Sequence, residues 1–98
     1  MSELVYSQKS INDLRSIANY TAGQWSEQQA IRYYNMLIEG CEQIARQGGS
    51  IGVSYHEIRP GLYGFHCARH IIFYRIVSNE KVRIVRILHE RMDFERHL

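Results

Sequence analysis

His70-Ile71-Ile72-Phe73-Tyr74-Arg75-Ile76-Val77, then Ser78-Asn79-Glu80, then Val82-Arg83-Ile84-Val85-Arg86-Ile87-Leu88-His89, is the stretch that decides the fold. Two β-branched apolar runs flank a short polar turn, the pattern of a hairpin of long strands. The first run is apolar on both faces, as in a central strand. Upstream, Leu62 to Cys67 reads as another strand. The Arg59-Pro60-Gly61 turn, where Pro presets a bend, separates it from the loosely alternating Val53-Ser54-Tyr55-His56-Glu57-Ile58. Downstream, Glu90 to Leu98 is polar and reads as a helical turn or a tail.

Toward the N-terminus the period changes from two to about 3.6. Ile11, Leu14, Ile17, Ala18 and Thr21 recur at spacings of three and four, which predicts an amphipathic helix of about four turns. Ser7 or Ser10 caps it, Ser10 with Asp13 resembling a capping box, and Gly23 ends it. A second helix opens at Ser26-Glu27. Ala30, Tyr33, Leu37, Cys41, Ile44 and Ala45 form its apolar stripe, with Tyr34 and Ile38 beside it, and Gln47-Gly48-Gly49-Ser50 stops it. The short Gly23–Trp25 connection makes the helices antiparallel neighbours. Leu4-Val5-Tyr6 adds a short leading strand. The order β-α-α-β-β-β predicts an α+β fold, an antiparallel sheet packed against an N-terminal helical hairpin, in a single domain over residues 1–98.

Composition narrows the function. The 98 residues are 45% hydrophobic and 22% charged, with one Pro and 7 Gly, which excludes disorder and low complexity. The longest uncharged apolar stretch falls far short of the ~20 residues that cross a bilayer. The N-terminus shows no secretory signal, and the two cysteines, Cys41 and Cys67, form no disulfide framework. A reduced, cytoplasmic protein is expected, with both thiols acting as compact core residues. Net charge is +2, too little to argue for nucleic-acid binding from the total. Its distribution is uneven. Residues 1–53 carry four basic and five acidic groups, whereas residues 54–98 carry eight basic groups, seven of them Arg, and five acidic ones. All five histidines lie in that second half. Arg suits carboxylate or phosphate partners, so an acidic partner and a set of solvated arginines are both open.

No phosphate-binding Gly loop, His-Glu-x-x-His, Gly-x-Ser-x-Gly or Cys-x-x-Cys occurs, and no metal or cofactor is expected. Strand alternation places Arg86 on the face of Val82, Ile84 and Leu88, opposite His89. A partly buried Arg86 needs an anion, with Asp13 the leading partner and Asp93 the other, which makes a structural ion pair. His89 reads either as a hydrogen-bonding corner residue or as a general acid/base near neutrality. Arg59, Arg69, His70, His89 and Arg91 combine cations with titratable rings, as a nuclease requires. Spacing does not show that they converge. Tyr20 and Trp25 flank the helix-hairpin turn and read as staples across it, the alternative being a surface on which a base stacks.

The chain resembles the ParE toxins of the RelE/ParE superfamily, the poison half of bacterial type II toxin–antitoxin modules. The matching residues are Tyr6-Ser7, Asp13-Leu14, Ile17, Tyr20-Thr21, Trp25, Gln28-Gln29-Ala30 and Tyr33, then Glu57-Ile58-Arg59-Pro60-Gly61-Leu62. The most specific are His70-Ile71-Ile72-Phe73-Tyr74-Arg75 and Ile84-Val85-Arg86-Ile87-Leu88-His89-Glu90-Arg91-Met92-Asp93. The resemblance implies the same βααβββ fold and a cognate antitoxin whose disordered C-terminal segment folds onto the toxin. It implies DNA gyrase as the target, poisoned in a DNA-cleaved state without catalysis by the toxin, and no membrane or sequence-specific nucleic-acid partner. The candidate target- or antitoxin-binding residues are then Arg91, Met92 and Asp93, followed by Arg59, Arg69, His70 and His89. The rival branch, RelE-like toxins, cuts mRNA on the ribosome; here that would engage His89 with Arg86 or Arg91. Its members carry a C-terminal tyrosine, whereas the last tyrosine here is Tyr74 and the one aromatic residue after His89 is Phe94. Two positions depart from the ParE pattern: Gln47-Gly48-Gly49 where proline is common, and Ser26 where glycine often follows Trp25.

Overall fold

The computed structural model describes residues 2–98. Among them the chain forms β1 (Glu3–Tyr6), α1 (Gln8–Gln24), α2 (Glu27–Arg46), β2 (Val53–Ser54), β3 (Tyr63–Cys67), β4 (His70–Ser78), β5 (Lys81–His89) and α3 (Phe94–His97). The strands make one sheet in the order β1-β5-β4-β3-β2, with the α1–α2 hairpin on one face. From β2 to β5 each neighbour runs antiparallel. β1 departs from the antiparallel expectation: it lies parallel to β5, Glu3 opposite Lys81 and Tyr6 opposite Ile84, so the sheet is mixed. Tight turns oblige only consecutive strands to run antiparallel, and β1 meets β5 from the other end of the chain.

Ser7 is the N-cap of α1. Its hydroxyl accepts from the Ser10 N–H at 3.0 Å and donates to the Val85 carbonyl at 2.7 Å. Ser10 therefore does not cap; it is buried one turn in, donating to the Ser7 carbonyl. Asp13 is not part of a capping box, because β5 claims its carboxylate. α1 also runs past Gly23 to Gln24, and Trp25 turns the chain there (φ −120, ψ −86). The left-handed glycines are elsewhere, Gly48 and Gly49 just beyond α2 and Gly61 in the turn before β3.

A bulge sets the faces of β5. Phe73 pairs with Arg86 but Tyr74 pairs with Ile84, leaving Val85 as an extra residue. An inserted residue reverses the phase of everything beyond it. Val82 and Ile84 accordingly point to the helices, and so does Ile87, whereas Leu88 joins a second core on the opposite face. This corrects the expectation from strict alternation that Arg86 shares a face with Val82 and Ile84; it shares one with Leu88, still opposite His89.

The main core unites Leu14, Leu37, Cys41 and Ile44 with Ile72, Tyr74, Val82, Ile84 and Ile87. On the other face Leu62, Ile71, Phe73 and Leu88 are covered by Tyr55, Val85, Phe94 and Leu98. That second cover explains why β4 is apolar on both sides. It also explains why the predicted strand over residues 53–58 ends after Ser54. The N–H groups of Ile58 and Arg59 bond back to the Tyr55 carbonyl, and the Tyr55 ring sits edge-on to Phe73 at 5.1 Å. A local turn that buries an aromatic ring wins over ladder pairing.

Candidate functional site

One end of the helical face opens into a cleft of about 630 Å³ between the α1–α2 turn and the paired ends of β4 and β5. Helix α1 supplies Ser16, Ile17, Tyr20, Thr21 and Gln24; the turn supplies Trp25 and α2 supplies Tyr33. Arg69, His70, His89 and Arg91 complete it from the sheet. Four of the predicted site residues thus converge. Among the described residues lining the cleft none is acidic.

Hydrogen bonding engages Nδ1 of both rings. The Tyr33 hydroxyl accepts from the Arg69 N–H at 3.2 Å and shares a hydrogen bond of 2.6 Å with His70 Nδ1. Nδ1 of His89 accepts from the Arg91 N–H at 3.1 Å. With Nδ1 accepting, His89 carries a proton on Nε2. The rings stand edge to face at 5.2 Å across the β4–β5 pair. Burial, reinforced by His89 alongside, lowers the His70 pKa to about 4. Burial likewise raises that of Tyr33.

At the rim, Arg69 lies 3.5 Å from Glu90, whose other oxygen meets His66 Nε2 at 2.9 Å. The His66 hydrogen bond is the main reason that the Glu90 pKa falls below its ordinary value. Met92 and Asp93 sit beside Arg91 on the exposed turn into α3, outside the cleft lining. Arg59 does not converge with the others. It donates to the Leu98 carbonyl on the side of the second core.

Arg86 is committed elsewhere. Its Nε and Nη2 meet the two oxygens of Asp13 at 2.8 and 2.9 Å, and Nη1 donates to the His97 carbonyl at 2.7 Å. Asp13 also accepts the Ile87 N–H at 2.9 Å, a donor left without a strand partner because β1 stops at Tyr6. The Asp13 hydrogen bonds raise the Arg86 pKa further. The cysteines are free: Cys41 is buried, which pushes its pKa up to about 12, and burial also raises that of Cys67. Among the described residues no three His, Cys, Asp or Glu side chains gather as metal ligands.

Residues 4–94 match the family described as the ParE toxin of the parDE type II toxin–antitoxin system. The chain belongs to the ParE toxin family. The "Toxin ParE1" of Mycobacterium tuberculosis is 34% identical over 85 residues, covering 87% of this chain and 86% of that one. The "Toxin ParE" of Escherichia coli is 36% identical over 81 residues, 83% of this chain and 78% of that one. A solved structure, "Chromosomal ParDE TA system from P. aeruginosa", superposes with a TM-score of 0.75 at 18% identity, covering 91% of this chain and 96% of that one. In this ParE-family chain Tyr6-Ser7, Asp13 and Arg86 fall together at the β1–α1–β5 junction, and Tyr33, His70 and His89 at the cleft. The two departures are structurally competent: Ser26 caps α2 through the Gln29 N–H at 3.1 Å, and Gly48 and Gly49 close it.

Sequence reasoning missed three contributors. Tyr33 reads as core from its place in the stripe, and nothing local announces a partner 37 residues away. Tyr20 and Trp25 are not staples: they are 64% and 65% exposed.

Proposed function

We propose that the chain binds DNA gyrase and holds it in a DNA-cleaved state, performs no bond-breaking step itself, and is neutralised by a cognate antitoxin. The observation that carries this reading is the state of the cleft. It offers cations and N–H donors, while Nδ1 of each histidine is held in a hydrogen bond and, among the described residues, no carboxylate lines it to serve as a base for strand cleavage. A surface of this kind grips a partner. Arg91, Met92 and Asp93, with Arg69, His70 and His89 behind them, form the face assigned to the target, since strand-end and turn residues are free of core duties. Arg59, on the opposite side, is left to the acidic groups of the antitoxin. The apolar part of that antitoxin is assigned to the groove lined by Ile11, Ala18, Tyr34 and Ile38, where a disordered segment folds as it binds. Both complexes belong in the cytoplasm.

The test is a supercoiling assay with the purified protein at micromolar concentration. Loss of supercoiling with accumulated cleaved DNA is expected, weakened by Arg91→Ala and reversed by the antitoxin. Unchanged supercoiling overturns the reading. Cut mRNA in a translating extract, abolished by His89→Ala, would assign a ribosome-dependent endonuclease instead.

A further inference from the structure

Two aromatic side chains of the cleft, Tyr20 and Trp25, have no structural work that explains them. Tyr20 and Trp25 turn most of their rings to solvent, although burying them would stabilise the hairpin. They share one concave surface with two arginines and two histidines, and His89, whose Nδ1 accepts from the Arg91 N–H, keeps an Nε2–H to offer. We propose that this cleft binds single-stranded nucleic acid, an unstacked base lying against Trp25 and Tyr20 and the flanking phosphates meeting Arg69 and Arg91.

The chemistry selects this ligand class. Every base has a π-face, so stacking on exposed aromatics is tolerant of sequence, and the cations follow the backbone. The His89 Nε2–H adds a donor for phosphate or base oxygens. An acidic peptide would use the arginines but not the planar aromatic area. A duplex keeps its base faces stacked against one another and cannot present one to Trp25. The volume, about 630 Å³, lies within the ~300–1,000 Å³ of small-ligand sites and has room for a nucleotide unit rather than a helix. Glu90 opposes an anion at the rim, but one of its oxygens is engaged by His66 and the other lies 3.5 Å from Arg69. The inference stands on the cleft and does not require gyrase to be the target.

Trp25 is the chain's single tryptophan, so its fluorescence reports on the site without a label. Titration of the purified chain with a short oligothymidylate should quench it saturably. The logarithm of affinity should fall with that of salt at a slope of about −1.4, two phosphate contacts on a single strand. Tyr20→Ala should weaken binding roughly tenfold, the loss of one stack, and Glu90→Gln should strengthen it. Trp25→Phe, followed by anisotropy of a labelled strand, should retain most of the affinity that Trp25→Ala loses. These residues are exposed or at the rim, and circular dichroism checks that each variant is folded. No saturable quenching, equal affinity for the annealed duplex, heparin binding as tightly as the strand regardless of Tyr20, or thymidine monophosphate matching the strand would each overturn the proposal. Strand binding without gyrase inhibition, or the reverse, separates its failure from that of the target assignment.

Discussion

Asp13 answers three donors with one carboxylate: two N–H groups of Arg86 and the backbone N–H of Ile87. Both side chains are mostly buried, 17% and 14% exposed, so removing either partner strands a charge. Asp13→Ala should cost about 3 kcal/mol in urea unfolding. Asp13→Asn, which keeps the size and one acceptor, should cost less. A second residue-scale anchor is Tyr74. Its hydroxyl accepts from the Gly52 N–H at 2.9 Å and donates to the Gly49 carbonyl, which fastens the segment after α2 to the core. Tyr74→Phe leaves both backbone groups without a partner, and a loss of about 2 kcal/mol is expected by the same measurement. The need of Arg86 for an anion was legible from its chemistry. The third duty of Asp13 was not, because it follows from where β1 stops.

The turn between β3 and β4 shows how an element presents a site. Cys67 pairs with His70, leaving Ala68 and Arg69 as the loop, and Ala68 takes φ 55. A Cβ in that left-handed region costs ~1 kcal/mol, so Ala68→Gly should stabilise the protein by about that amount in thermal or urea unfolding. The strain sits where the chain must double back sharply enough to bring the Arg69 N–H to Tyr33. Periodicity predicted both helices, since each buries one regular stripe, and the β4–β5 hairpin and β3 read as apolar runs bounded by turns. It did not predict the extra residue at Val85, because an apolar run fits either register equally well. It also overextended β2, where aromatic burial of Tyr55 outweighs pairing. The cleft was legible as residue types but not as a place: its walls come from four separate elements.

At the scale of the whole molecule, acid should reveal the half-buried imidazole of His70. Folding lowers the His70 pKa from 6.5 to about 4. Between those values the unfolded chain binds a proton that the folded one refuses, so stability falls as pH drops through this window and levels off below it. Thermal midpoints measured from pH 7 to 4 should decline, and His70→Asn should flatten that part of the profile. One further consequence lies in the pairing of β1 with β5. β1 has its seat beside a strand that comes much later in the chain, and the contacts of Ser7 with Val85 and of Asp13 with Arg86 and Ile87 form only once β5 is in place. A chain interrupted within β4 therefore carries neither this lock nor His89 and Arg91. Translation order thus delays the sealing of this junction until β5 has left the ribosome.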